Sequence, residues 1–164
     1  MLSFSKGDEI MVEQNQEYQH IMVAVDGSDE ASAALENAIE TAKRNNGDLL
    51  IVHVIDNRSY TMGVASFDIE ASEEETRTMK EILGEYRQFA INRGVKKVST
   101  ELVTGSPKEL LAKSLPKEHN IDLILCGQSG LSGIESLMMG SVSQYIIREA
   151  PCDVLIVRNQ AKEK

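Results

Sequence analysis

The sequence predicts an α/β fold, a doubly wound five-stranded parallel sheet with helices on both faces, and three observations carry that expectation. From residue 20 onward, short apolar segments rich in β-branched residues alternate with stretches whose apolar positions recur every three to four residues. Four of the five apolar segments are hydrophobic almost throughout, as strands covered on both faces of a parallel sheet should be, while one alternates. The regular alternation of the two patterns implies right-handed crossovers between parallel strands.

Strand one is "HIMVAV" (20–25). Ala31, Ala34, Leu35, Ala38, Ile39 and Ala42 then mark helix one, with Ser28 as its N-cap and Gly47 as its stop. Strand two is "DLLIVHVI" (48–55), followed by "NRSYTMGVASFDIEAS" (57–72), which is long for a connection and reads as a lid, a partner surface or a disordered segment. Met79, Ile82, Leu83, Tyr86 and Ala90 trace helix two, which ends near Gly94. "KVSTELV" (97–103) alternates and suits an edge strand. Helix three opens at "GSPKELL", with Ser106 as N-cap, Pro107 in the first turn and Glu109 completing a capping box. "IDLILC" (121–126) is strand four. Val142, Tyr145, Ile146 and Glu149 trace helix four, stopped by Pro151, and "DVLIV" (153–157) is strand five.

Strand order 3-2-1-4-5 accommodates this pattern, because it puts the alternating strand at an edge and strands one, two and four inside. Ligands in such sheets bind beyond the carboxyl ends of the strands where the winding reverses, here between strands one and four. The turns after Val25 and Cys126 should meet there.

Length and composition bound the rest. A chain of 164 residues with 41% hydrophobic and 26% charged residues suits one domain, expected over 19–158, with a flexible extension at 1–18 and a tail at 159–164. The first residues lack a cationic start and an apolar run, so no secretory signal is expected and a cytoplasmic address follows; the apolar segments are too short to span a membrane. With 26 acidic against 17 basic residues and a formal charge of −9, the chain is a poor candidate for nucleic-acid binding. Cys126 and Cys152 lack metal-ligand spacing, and a strand of roughly 16 Å separates them, so neither zinc nor an internal disulfide is expected. His53 reads as structural, and no histidine pair has ligand spacing.

The segment after strand four, "CGQSGLSGIESLMMGSVS", carries the chemistry. Gly127 and Gly130 let the chain turn sharply and bring bare backbone to the crevice. Gly140 and Ser141 then open a helix whose free N–H groups form an anion site without any lysine, with the hydroxyls of Ser141 and Ser143 as further donors. No Gly-Lys dipeptide and no GxG triplet occurs in the chain, which excludes a Walker A loop and the dinucleotide fingerprint. Leu131, Ile134, Leu137, Met138 and Met139 read as loop residues packing on the domain or a partner.

Gly127, Gly130 and Gly140-Ser141 follow a G-x2-G-x9-G-S spacing that resembles the ATP-binding branch of the universal stress protein family. "IMVAVDGSDEAS", "LLIVHVID", "TGSPKELL" and "GSVSQYIIREAPCDVLIVR" extend the resemblance over roughly residues 20–158. The resemblance implies that Asp26, with Ala24 and Val25 beside it, contacts ribose and phosphate, and that Val54 lines the adenine pocket. It places Gly127 and Gly130 near ribose and phosphates, and Gly140, Ser141, Val142 and Ser143 on the phosphate chain. The departure is Gln128-Ser129, where many relatives have Ser-His, and a basic residue often found in the loop is missing.

Residues 127–143 hold no Lys or Arg and include Glu135, so a divalent cation, Mg2+ or Mn2+, is expected to complete the neutralisation of ATP, with Asp26 as a ligand. AMP or ADP would satisfy the same adenosine positions. The resemblance further implies a homodimer paired through strand five, Asp153 to Val157, whose nucleotide state modulates recognition of a protein partner. Two alternatives stand beside this regulatory reading: a slow ATP hydrolase or nucleotidyl-transfer enzyme with Asp26 or Glu135 as base, and an interaction dimer that binds no nucleotide.

Overall fold

The sheet has five parallel strands in the order β3-β2-β1-β4-β5, as the sequence predicts. The computed structural model describes residues 17–57, 68–129 and 138–158. Within them lie β1 (His20–Ala24), α1 (Asp29–Asn45), β2 (Asp48–Asp56), α2 (Asp68–Asn92), β3 (Val98–Gly105), α3 (107–118), β4 (Leu123–Gly127), α4 (Ser141–Glu149) and β5 (Asp153–Val157).

Strand pleating divides the core into two layers. Ile21, Val23, Leu49, Ile51, Leu123 and Leu125 face α1 and α2. Their neighbours Met22, Leu50, Val52, Ile124 and Cys126 face α3 and α4. Ile21, Ile51 and Leu125 are wholly buried, so truncating any of them to alanine should cost about 2 to 5 kcal/mol. This two-sided burial is what the unbroken apolar runs signalled.

Helix α1 is capped as expected at its start, where Ser28 accepts from the Ala31 amide at 3.1 Å. Its stop differs. Asn46, not Gly47, adopts the left-handed conformation, and the Gly47 amide reaches back to the Ala42 carbonyl at 3.0 Å. Gly47 is needed for another reason: a Cβ there would lie 2.5 Å from the Tyr18 carbonyl oxygen. Tyr18 itself, expected at the end of a flexible extension, packs on the core and donates to Asp153 at 2.8 Å.

Helix α2 begins at Asp68, well before the apolar period that revealed it. Residues 72–78 are mostly exposed, so that stretch had no buried stripe to mark it as helical. Of the long connection expected at 57–72, residues 68–72 are therefore helix, and 58–67 lie outside the described residues.

The capping box expected at α3 does not form. Ser106 has N-cap backbone geometry but makes no side-chain cap, and Glu109 instead accepts from the Tyr145 hydroxyl and pairs with Lys113. The middle of α3, Leu110–Ser114, widens into a π turn in which the Leu115 amide reaches the Leu110 carbonyl. Pro116 follows, wholly buried and without an N–H, so the ordinary ladder could not continue through it.

Candidate functional site

The crevice arises because β1 and β4 part company. Their last paired residues are Val23 and Leu125. Beyond them β1 leans on β2, with the Val25 amide donating to the Val52 carbonyl at 2.9 Å. Strand β4 leans on β5, with the Gln128 amide donating to the Val157 carbonyl at 2.9 Å. The gap that opens is about 220 Å³ and lies at the switch point of the winding.

Its two ends differ in chemistry. The inner end is apolar: Ala24, Val52, Val54 and Cys126 come from the sheet face under α3 and α4, and Pro107, Leu111 and Ile146 close over them. The outer end is polar main chain and hydroxyl, contributed by Asp26, Gly127, Ser129, Gly140, Ser141 and Ser143. Such a site fits a flat apolar group at one end and an anion at the other.

Two turns are fixed from behind. Asp26 accepts from the Ser28 amide at 3.0 Å through Oδ1, which braces the entry to α1. His53 Nδ1 lies 2.7 Å from the Val25 carbonyl oxygen, and since that oxygen only accepts, Nδ1 carries the proton. His53 thus holds the β1 turn, the structural role its sequence position suggested. Gly127 packs flat on α1: a Cβ there would lie 2.7 Å from Glu30 Cβ.

The other turn is stitched shut at its base. The Gly140 amide donates to the Gln128 carbonyl at 2.8 Å, and Gln144 Nε2 donates to the Met139 carbonyl at 2.8 Å. Gly140 is the N-cap of α4, with extended backbone and no side chain capping the helix. The first amides of α4 therefore face the crevice mouth without an internal partner. Ser141 is exposed there, whereas Ser143 is buried and donates its hydroxyl to the Gly127 carbonyl at 2.7 Å.

The electrostatics are unusual for an anion site. No Lys, Arg or His is among the described lining residues, and Asp26 is the one carboxylate. Burial pushes the Cys126 thiol up to about 11, partly offset by the neighbouring Ser143 hydroxyl, so it stays protonated near neutral pH and is no nucleophile. Among the described residues no cluster of three or more His, Cys, Asp and Glu could hold a metal unaided.

Of the ten residues singled out from the sequence, Ala24, Val25, Asp26, Val54, Gly127, Gly140, Ser141, Val142 and Ser143 line this one crevice. Gly130 lies outside the described residues, as do Gly133 and Glu135. Sequence reading missed Val52, Cys126, Pro107, Leu111, Ile146, Ala31 and Ser129. Val52 sits two residues before Val54, and strand periodicity could have found it. Pro107 and Leu111 could not be found that way, because nothing local says that α3 crosses the carboxyl end of β2. A second hollow of about 320 Å³, lined by His20, Asp48, Lys97, Ser99 and His119, lies at the opposite, amino end of the strands. Its charges are spent on pairs such as Lys97–Asp48, and His119 Nε2 lies 2.7 Å from Glu101 Oε1.

Comparison with known proteins agrees with this geometry. A sequence model of the universal stress protein family matches residues 17–158. The chain belongs to that family. A Staphylococcus aureus (strain USA300) protein, provisionally named as a universal stress protein, is 46% identical over 143 residues, covering 87% of this chain and 86% of its own. Among solved structures, universal stress protein UspA from Lactobacillus plantarum matches with a TM-score of 0.79 at 30% identity, over 88% of this chain and all of its own. A universal stress protein solved in complex with cAMP matches with a TM-score of 0.64 at 29% identity, over 87% of this chain and 98% of its own. One from Archaeoglobus fulgidus, solved with dAMP, shares the fold at 23% identity, over 86% of this chain and 98% of its own, with a TM-score of 0.58. The solved relatives share the fold built on this five-strand order.

Proposed function

We propose that this universal stress protein is a regulatory adenine-nucleotide binder that takes ATP, or its AMP and ADP counterparts, in the crevice between β1 and β4. The observation that carries the reading is the polarity gradient of that crevice, apolar beneath α3 and α4 and lined by free amides at the start of α4. Adenine would occupy the inner end beside Val54, and the phosphates would meet Gly127, Gly140, Ser141 and Val142. The related structure with cAMP supports an adenosine ligand for a crevice of this kind.

A triphosphate brings about four negative charges, and one helix end offers about half a positive one. The residues fit an accompanying Mg2+ or Mn2+ only as a guest of the phosphates: Asp26 has one carboxylate oxygen bonded to Ser28 and one left to reach the ion. In this reading the protein acts as a homodimer, paired through β5, whose nucleotide state alters partner recognition. Leu155 and Ile147, half exposed on β5 and α4, supply the apolar surface for that pairing.

The test is mass spectrometry of small molecules released from freshly purified protein, followed by ATP titration with and without magnesium. Bound adenosine phosphates and a magnesium-dependent affinity are expected. Protein that is empty and shows no thermal shift with any adenine nucleotide would refute the reading, because a specific ligand must stabilise the native state by mass action.

A further inference from the structure

The Gly127–Gln128 peptide has a direction that matters. Its N–H donates to Val157 on β5. In a trans peptide the N–H and C=O point opposite ways, so the Gly127 carbonyl points away from β5, toward the side β1 would fill. Strand β1 is not there to receive it, since the β1–β4 ladder ends at Val23 and Leu125. The divergence that creates the crevice therefore also leaves a carbonyl oxygen, the negative end of a peptide dipole, turned toward an anion site.

Ser143 is buried and its hydroxyl donates to that oxygen at 2.7 Å. A donor committed at this distance cannot also donate to a phosphate. Ser143 sits at the third position of α4, so the same bond ties the end of β4 to the helix start whose amides line the mouth. We propose that Ser143 is a positioning residue rather than a phosphate ligand: it covers the Gly127 carbonyl, so that an anion in the crevice meets amides and not a bare acceptor. The proposal rests on the nucleotide reading above and assigns one of that site's residues a different task.

Two measurements on Ser143→Ala, Ser143→Cys and Ser143→Thr test it. In ligand-free protein the Gly127 carbonyl ¹³C resonance should move upfield in the alanine variant, move part-way in the cysteine variant, whose thiol is a weak donor, and keep its native position in the threonine variant. In calorimetric titrations with magnesium present, ADP affinity should fall about tenfold in Ser143→Ala and recover in Ser143→Thr, while adenosine affinity changes less than twofold. If the alanine variant does not fold, the cysteine variant carries the same comparison at smaller amplitude. An unmoved carbonyl resonance together with lost ADP affinity would make Ser143 a direct ligand and overturn the proposal. Equal losses for adenosine and ADP would reduce Ser143 to a packing role and overturn it as well. If the native protein binds neither ligand, it is the nucleotide reading that fails, and the resonance alone decides whether the hydroxyl covers the carbonyl.

Discussion

Replacing Gly127 by alanine should separate the crevice geometry from general stability. The added Cβ would lie 2.7 Å from Glu30 Cβ, 3.0 Å from Glu30 C and 3.2 Å from the Ala31 amide nitrogen, against ordinary contact beginning at 3.4 Å. The obstacle is helix backbone, and it cannot rotate aside: Glu30 and Ala31 are held in the first turn of α1 by the Ser28 cap. Either α1 or the end of β4 must move by about 0.7 Å, and overpacking of this kind costs about 1 to 3 kcal/mol. The same displacement stretches a 2.9 Å hydrogen bond at the crevice mouth beyond useful range, which for a charged partner lowers affinity about tenfold or more. Urea unfolding and calorimetric ADP titration read the two effects. Gly84→Ala is the control: it lies inside α2 with nothing within 4 Å of the new Cβ, so it should raise stability by about 0.5 to 1 kcal/mol and leave binding alone. If Gly127→Ala matched the native protein in both assays, the packing of β4 on α1 would not control the crevice.

Two further outcomes follow from burial. Cys126 is held near 11 against an unfolded value near 9, so the native state keeps a proton that the unfolded chain releases; this thiol's contribution is intact below pH 9 and is lost between about pH 9 and 11, roughly 2 to 3 kcal/mol, and Cys152, also raised to about 11 by burial, titrates over the same range. Urea unfolding across that range should show a flatter pH dependence for Cys126→Ala, and an unchanged slope would refute the assignment. On β5, Ile156 packs toward the α3 and α4 core whereas Leu155 is 43% exposed, so Leu155→Lys should dissociate the proposed dimer in light scattering without lowering the unfolding midpoint much. Ile156→Lys should lower both, and a native monomer would remove the interface altogether.

What could be read from the sequence tracks how local the cause is. The strands were legible because two-sided burial forces apolar runs such as "DLLIVHVI", and the order 3-2-1-4-5 followed from placing the alternating strand at an edge. The Ser28 cap was legible for the same reason, being settled within three residues. Glu109 was misread because two partners compete for it, and Tyr145 and Lys113, reached through tertiary folding and the next helical turn, win over its own helix start. Ser143 shows the limit most clearly. Its spacing from Gly140 placed it correctly on the crevice, yet its task depends on which way the Gly127 carbonyl points, and that is decided by where a ladder between distant strands ends.

The crevice contains partial charges where many anion sites have full ones. A lysine would hold phosphate across a wide range of positions, because a point charge on a flexible stem tolerates displacement. Amides fixed at the start of α4 and the end of β4 do not, so in the proposed reading affinity depends on the distance between two turns, 127–129 and 140–143, which among the described residues are joined by the Gly140–Gln128 and Ser143–Gly127 hydrogen bonds. The Ser143–Gly127 bond sits at the last pair of β4 with β5, Gly127 with Val157, and the Gly140–Gln128 bond sits one residue beyond it, where Gln128 also bonds Val157. In the proposed reading, pairing of the edge strand with a second copy would reach the phosphate end through these three hydrogen bonds, and binding there would act back on the edge by the same linkage. The proposed task of reporting nucleotide state needs such reciprocity more than it needs tight binding, and a site made of amides rather than lysines suits it.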